Sequence, residues 1–536
     1  MIRTLKAVWL FLFVGLLLGM FAFAVHFEAR ARQPLTVLSE DAYRKIVTSQ
    51  EKIAADAFAG KLYNNGTEAA VTYESYLICT PLDPEAALNA VSFQGRAYQA
   101  AFAPDDAFDH FADAIAENHA FQLVIWNGKQ YFEQPVFFTS LPVFVFSYDT
   151  PFSCYSSDKD KTTAIECSLI TPDGSVMKSA ATIRMRGQLS FSFPKIPYRL
   201  TLYQNRGTRN PQSLLGMQAS SEWIMLTLYT DSARIRDKVS LDLWNDLAAT
   251  SPDVNGNTAE FEYCELVVNG YYGGIYGLVR PVDGETLAID DDENARFYQF
   301  NLDFNDAATA QYIEDPLGKL PTLAELKYPK EFQSDADLWS PLIRYCNLFC
   351  ANLREPTLAD LEAMFNQSNA IDYSLFTACA SGYDNLYKNM YMIWRQDTDG
   401  KYRFYRVPWD LDFTFGDYYG DVSPLHMIFS MNNVSDSRLT HDMQDWLALD
   451  SGEMKQAFYA RWKELRASLF SESALQARMA EQVAILQQNG AYQRDDARWK
   501  ESPASADLTN TFAFLHARLA FLDRYFAELT QSSPSE

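Results

Sequence analysis

Residues 265–279 read ELVVNGYYGGIYGLV. Two runs rich in Val, Ile and Tyr flank Asn269-Gly270, a dipeptide that accepts the positive φ angles of a two-residue hairpin turn. The stretch therefore predicts two antiparallel strands, 262–268 and 274–279. Moving outward, β-branched and aromatic residues alternate with polar ones at 141–148, 181–186, 198–203 and 223–228, which predicts four further strands. Within this series residues 232–248 (SARIRDKVSLDLWNDLA) set Ile235, Val239, Leu241, Leu243 and Trp244 at helical spacing on one face. Strands, one helix and a closing hairpin predict a small α+β lobe over 139–285.

After the acidic loop 290–293 the chain turns helical, and strand patterns return at 390–394 and 402–407. Residues 454–529 form a helical tail, with AFYARWKELRASLF and FAFLHARLAFLDRYFAEL carrying the clearest periodicity. The second lobe is expected over 286–530. On the other side, 34–138 has a helical stretch (SEDAYRKIVTSQEKIAADAFAGKL) with Ser39 as N-cap, then strands at 121–126 and 130–132 joined by Asn127-Gly128. This accessory region, 26–138 with its linker, carries no chemical constellation.

The N-terminus and the cysteines bear on the compartment. Arg3 and Lys6 precede an uncharged run, 7–25, of about 19 apolar residues, long enough to cross a bilayer as a helix. Residues 1–25 read as a transmembrane signal anchor or a cleaved signal peptide, since Ala22-Phe23-Ala24 offers small residues for cleavage. The expected location is the cell membrane, single-pass with the bulk extracytoplasmic, or secretion after cleavage. Seven Cys without a CxxC pair, beside six His, exclude zinc fingers and redox dithiols. Cys154 and Cys167 flank a polar stretch and are either a disulfide-closed hairpin or two buried thiols.

Composition bounds the function. The 536 residues are 48% hydrophobic and 14% aromatic, which excludes overall disorder. A net charge of −24 argues against a nucleic-acid partner, because phosphate backbones need a positive surface. The charge is unevenly spread. From Gly174 to Ser221 there is no Asp or Glu, yet seven cations: Lys178, Arg184, Arg186, Lys195, Arg199, Arg206 and Arg209. Such a stretch suits a phosphate-binding pocket, with Gly187 allowing close backbone approach, or a solvated basic face.

Two acidic motifs complete the set. Asp384-Asn385-Leu386-Tyr387-Lys388-Asn389 places an Asp five residues before an Asn, the spacing of a kinase catalytic loop. Pro408-Trp409-Asp410-Leu411-Asp412-Phe413-Thr414-Phe415-Gly416 follows a predicted strand. In an extended segment Asp410 and Asp412 share a face and can serve one hard cation. Two apolar-flanked acids this close are costly to bury without one.

Taken together, these residues resemble the CotH kinase family (spore coat protein H and relatives), secreted atypical protein kinases. The resemblance rests on MRGQLSFSFPKIPYRLTLY (185–203), SEWIMLTLYTDSARIRDKVSLDLWNDL, ELVVNGYYGGIYGLV, DNLYKNMYMIW, VPWDLDFTFG and the tail ARWKELR…HARLAFLD. It covers about residues 139–530. It implies an atypical protein-kinase-like two-lobed fold with a strand-rich N-lobe and a helical C-lobe. It implies ATP, Mg²⁺ or Mn²⁺, and Ser/Thr acceptors on secreted or cell-surface proteins. Residue by residue, Asp384 becomes the catalytic acid, and Asn389, Asp410 and Asp412 metal ligands, with the principal aspartate of the last two left open. Arg186 and Lys195 become phosphate contacts, Lys195 in the lysine role. Two positions depart from the family pattern: Arg280 stands where relatives usually carry a Glu, and Leu189-Ser190 where they often carry Ser-Ser. A catalytically weak surface-binding or adhesion protein is the alternative, and transfer to a small molecule or glycan is not separated from transfer to protein.

Overall fold

In the computed structural model the Asn269-Gly270 hairpin forms as expected, with φ of 47° and 78° at its two turn residues. The structure describes residues 32–530, apart from 55–60, 73, 82–87, 96–97, 109, 150–160, 188–191, 206, 251–255, 301–305, 330–335, 350–352, 383, 387, 417–446, 448 and 450–451. The apolar run 7–25, Cys154 and Leu189-Ser190 lie outside the described residues.

The hairpin belongs to an eight-stranded sheet whose first seven strands close on themselves. These are β1 (Val143–Ser147), β2 (Thr163–Ile170), β3 (Val176–Met185), β4 (Tyr198–Asn205), β5 (Glu222–Leu226), β6 (Glu260–Val268) and β7 (Tyr271–Arg280). Their spatial order is β3-β2-β1-β6-β7-β5-β4, and β4 pairs back onto β3. Only β1 and β6 run parallel. Alternate residues point inward, as strand geometry requires. Phe144, Phe146, Ile165, Cys167, Ile183, Leu200, Trp223 and Leu266 fill the barrel. Cys167 is a free buried thiol, so it closes no disulfide hairpin.

Closure corrects the expected fold. The chain is a mixed α+β protein built on a closed seven-stranded barrel, not a kinase-like two-lobed fold with an N-terminal transmembrane helix. The physical reason lies in β2 and β3. The sequence between Cys154 and Cys167 reads as a polar connection, yet residues 163–170 form a full strand. The ten-residue β3 then pairs along both of its edges, from Thr163↔Ile183 to Ile170↔Val176 on one side and from Ala180↔Tyr203 to Met185↔Tyr198 on the other. No open edge remains. Nor is there an apolar break between two lobes: one cluster of buried side chains runs from Ile224, Trp244 and Phe261 through Phe297 and Tyr391 to Leu515 and Phe526. The expected membrane location is corrected as well, since no helix among the described residues is long and apolar enough to cross a membrane.

Helix α1 (Arg236–Ala249) follows β5. Asp231 starts it: its carboxylate accepts the N–H groups of Ala233, Ile235 and Arg236 at 3.0, 2.6 and 2.7 Å, satisfying donors that a helix N-terminus leaves open. A second, four-stranded sheet comprises β8 (Arg296–Phe300), β9 (Ala324–Tyr328), β10 (Met390–Gln396) and β11 (Tyr402–Pro408), ordered β9-β8-β10-β11. Helix α2 (Gln367–Ala380) leads into the turn before β10. The tail forms α3 (Glu453–Arg466), α4 (Glu472–Gln488), α5 (Ala491–Arg498) and α6 (Thr509–Leu529). Trp462 of α3 stacks near Phe526 of α6 at 5.1 Å between ring centroids and donates to Asp523 at 2.8 Å. The accessory part is two small sheets around Leu62, Phe93, Leu123, Ile125 and Phe132. Its helix stops at Ser49, well short of the expected span. Leu77 and Cys79 seat it against Val143, Ile170 and Val267 of the barrel.

Candidate functional site

Three chain segments meet where the barrel opens toward the second sheet. The first is the end of β3, with Arg186. The second is the turn after α2, a short 3₁₀ helix at Asp384–Leu386 leading to Asn389. The third is the loop after β11, with Asp410 and Asp412. Arg186, Asp384, Asn389, Asp410 and Asp412 line one cleft, together with Thr230, Asp237, Lys388 and Trp409.

Backbone geometry explains why Asn and Asp occupy two of these positions. Asn389 and Asp410 have φ of 50° and 59°, the left-handed region that Asn and Asp tolerate better than other side-chain-bearing residues. The two loops are locked together. Trp409 N–H donates to the Asn389 carbonyl at 3.0 Å. Buried Asn385 donates its amide to the Asn389 and Trp409 carbonyls, at 2.9 and 2.8 Å. Its own carbonyl accepts the Tyr373 hydroxyl at 2.6 Å. From the barrel side, Asp237 in the first turn of α1 accepts Leu411 N–H at 2.9 Å. Thr230 donates to Asp412 at 2.9 Å, and Thr258 donates to the Pro408 carbonyl at 2.7 Å.

Electrostatically the cleft has more carboxylate than its cations offset. Asp384 has Lys388 Nζ at 3.0 Å and the Asn389 amide at 3.4 Å. Arg186 lies over the Trp409 ring, 5.5 Å from its centroid. Asp410 accepts no hydrogen bond from a described residue. Burial, with Asp384 nearby, pushes its pKa up, and Arg186 opposes the rise. Burial, then Asp410 and Asp237, push Asp412 well above the ordinary carboxylate range. Burial and Asp410 push Asp237 up to about 7. Shifts of this kind mark charge held out of water without a full counter-charge.

The donors on offer are carboxylate and amide oxygens, the set a hard divalent cation takes, rather than the nitrogen and sulfur ligands of zinc. Among the described residues, no group of three or more His, Cys, Asp or Glu is arranged to hold a metal ion by itself. The residues fit a cation that draws the rest of its shell from water or a ligand.

Lys195, expected toward the phosphates, does not line the cleft. Its side chain is fully buried and paired with Asp495 of α5 at 2.8 Å. It sits 5.1 Å from the Tyr276 ring centroid. Burial pulls its pKa down to about 8, against the pull of Asp495. Arg280 lies outside the cleft as well: it is buried, bonded to Thr286, with Asp283 at 3.5 Å. Sequence reading passed over Asp237, Thr230 and Asn385. Asp237 reads only as a polar position on an amphipathic helix, although an acid in a helix's first turn, six residues after capping Asp231, is a usable signal.

A family model described as CotH kinase protein matches residues 183–522, well over half of the chain. Among curated proteins, the inner spore coat protein H of Bacillus subtilis (strain 168) is 26% identical over 248 residues, 45% of this chain. The match covers 60% of the Bacillus protein, so the chain spans less than two thirds of that relative's length.

Proposed function

Because the chain belongs to the CotH kinase protein family, we propose that the cleft transfers the terminal phosphoryl group of ATP to a Ser or Thr hydroxyl of a protein. The observation that carries this reading is the meeting of Asp384, Asn389, Asp410, Asp412 and Arg186 in one cleft from three segments of the chain, Arg186 lying 198 positions before Asp384. Asp384 orients the acceptor hydroxyl and takes its proton as the oxygen bonds to phosphorus and the bond to the departing diphosphate breaks. Asn389, Asp410 and Asp412 would hold Mg²⁺ or Mn²⁺. Such an ion neutralises phosphate charge and keeps most of its shell as water and phosphate oxygens, in line with a site that offers few protein ligands. Arg186 supplies a guanidinium to the phosphates, and stacking on Trp409 holds it in the cleft. Lys195 acts from behind, as an internal tie between the barrel and α5.

The test uses the full chain with ATP and Mg²⁺ or Mn²⁺. Expected are nucleotide binding by calorimetry and phosphate incorporation into protein. Asp384→Ala should lose incorporation and keep nucleotide binding, whereas Asp410→Ala should lose both. A wild-type chain that binds no nucleotide sinks the reading.

A further inference from the structure

The acid-free stretch 174–221 is only partly used by the cleft. Arg186 lines it, and Lys195 is buried against Asp495. Arg184, Arg199 and Arg209 go to a second groove, on the outer face of the barrel, whose far wall is Glu325 and Lys327 of β9. Ile183, Leu200 and Leu202 point into the barrel, so the residues between them point out. Arg184 therefore lies on the outer side of β3, two residues before Arg186 of the cleft.

Arg184 and Arg199 stand directly opposite each other in the β3–β4 register. Like charges so placed destabilise a sheet, so the pair is unfavourable as scaffolding alone. Arg199 is relieved by an ion pair with Glu222, which also takes Arg209 at 3.2 Å. Arg184 is half-buried and has no hydrogen-bond or ion-pair partner among the described residues. Burial, then neighbouring Arg199, lower its pKa, and Glu222 and Glu325 oppose the shift. The groove holds four cations and two carboxylates in a chain of net charge −24. Glu222 and Glu325 favour the Arg184 charge from a distance, but their ion pairs go to Arg199, Arg209 and Lys327.

We infer that this groove holds an anionic segment of the protein acceptor, bearing carboxylate or phosphate side chains, while the neighbouring hydroxyl enters the cleft. The inference rests on the phosphoryl-transfer reading and adds the class of acceptor. Arg184 and Arg186 are about 7 Å apart along the strand, so the anion lies within a few residues of the hydroxyl.

The experiment measures fluorescence anisotropy of the full chain with three labelled peptides, each a Ser flanked by Glu, by phosphoserine or by Lys. No nucleotide is added. At low salt the Glu and phosphoserine peptides should bind about tenfold or more tighter than the Lys peptide, and added salt should erode the advantage. Whichever anionic peptide binds tighter identifies the anion. Arg184→Glu should weaken both by about tenfold, and Lys327→Gln by less, with nucleotide affinity at the wild-type value. Arg184→Gln should keep or raise the thermal midpoint, because it removes the opposed cation. Equal or tighter binding of the Lys peptide overturns the inference. So does unchanged anionic-peptide binding in Arg184→Glu and Arg184→Gln, or equally tight binding of a polynucleotide. Loss of nucleotide binding in the wild type sinks the transfer reading separately, and the peptide comparison still decides the groove.

Discussion

Asp237 Oδ1 accepts the backbone N–H of Leu411 at 2.9 Å, and this one bond ties the first turn of α1 to the loop between Asp410 and Asp412. It fixes the loop at the cleft. It also brings a third carboxylate against two others, so burial and Asp410 raise the Asp237 pKa to about 7.

A pH-dependent stability follows. The folded pKa of about 7 lies above the ordinary aspartate value of about 3.9. Asp237 therefore contributes stability in full below its unfolded pKa, and loses it as pH rises from there through 7. Asparagine can still accept the Leu411 bond but cannot ionise. Urea unfolding in EDTA should show Asp237→Asn gaining on wild type between pH 4 and 8, by up to a few kcal/mol. A difference that stays flat with pH would remove the assignment.

The same repulsion predicts how cations act. Asp410 and Asp412 both have raised pKa values, with burial the main cause. A divalent cation binds the ionised forms and so competes with protons. Mg²⁺ should raise the thermal midpoint more at pH 7.5 than at pH 5.5. The increment should vanish in Asp410→Asn. Equal increments at both pH values would mean that the ion binds elsewhere.

Asn385 is predicted to be a positioning residue. Its amide satisfies two buried carbonyls, those of Asn389 and Trp409, and an unsatisfied buried carbonyl costs about 1–3 kcal/mol. Asn385→Ala should lower stability by about 2–4 kcal/mol by urea titration. At temperatures where the variant is folded, phosphoryl transfer should fall more than nucleotide affinity, because the loops that carry Asp384 and Asp410 lose their common brace. Wild-type kcat in a folded variant would contradict this.

Much of this was legible in the sequence. Local signals carry the Asn269-Gly270 turn and the alternation in β4, β6, β10 and β11, which need only neighbours a few residues away. Five expected site residues reach one cleft, because each sits at a strand end or a tight turn, where motif spacing constrains position. What failed was long-range. Closure of the barrel depends on Thr163–Ile170 pairing with Val176–Met185, and a strand with polar residues beside it gives a weak local signal. Lys195 is expected at the phosphates from the family motif and its acid-free neighbourhood, and its actual partner, Asp495, lies 300 positions on, beyond the reach of local pattern. Asp237 was overlooked because its partner, Leu411, lies 174 positions away.

The buried trio of Lys195, Asp495 and Arg234 separates a structural lysine from a ligand-binding one. Asp495 faces Lys195 at 2.8 Å and Arg234 at 3.0 Å, and accepts Ile275 N–H at 2.9 Å. Lys195→Met leaves Asp495 its other two partners and should cost only about 1–3 kcal/mol, with nucleotide affinity unchanged. Asp495→Ala strands two buried cations and should cost about 3–5 kcal/mol. A Lys195→Met chain with wild-type stability and no nucleotide binding would reverse the assignment.

The same contact makes Gly274 irreplaceable. It has φ of +99°, and a Cβ there would run into the Asp495 carboxylate, with Trp499 Nε1 at 2.8 Å and Lys195 Nζ at 3.2 Å. These groups are pinned: Trp499 donates to the Gly273 carbonyl at 2.8 Å, and Asp495 holds Ile275 N–H. Gly274→Ala therefore combines left-handed strain with overpacking and should cost about 2–5 kcal/mol. Gly128 is the control, with φ of +87° and nothing within 4 Å of the added carbon. Gly128→Ala should cost only the strain, about 1–2 kcal/mol. Urea midpoints of the two variants measure the difference, and equal losses would show that α5 does not press on β7 at this point.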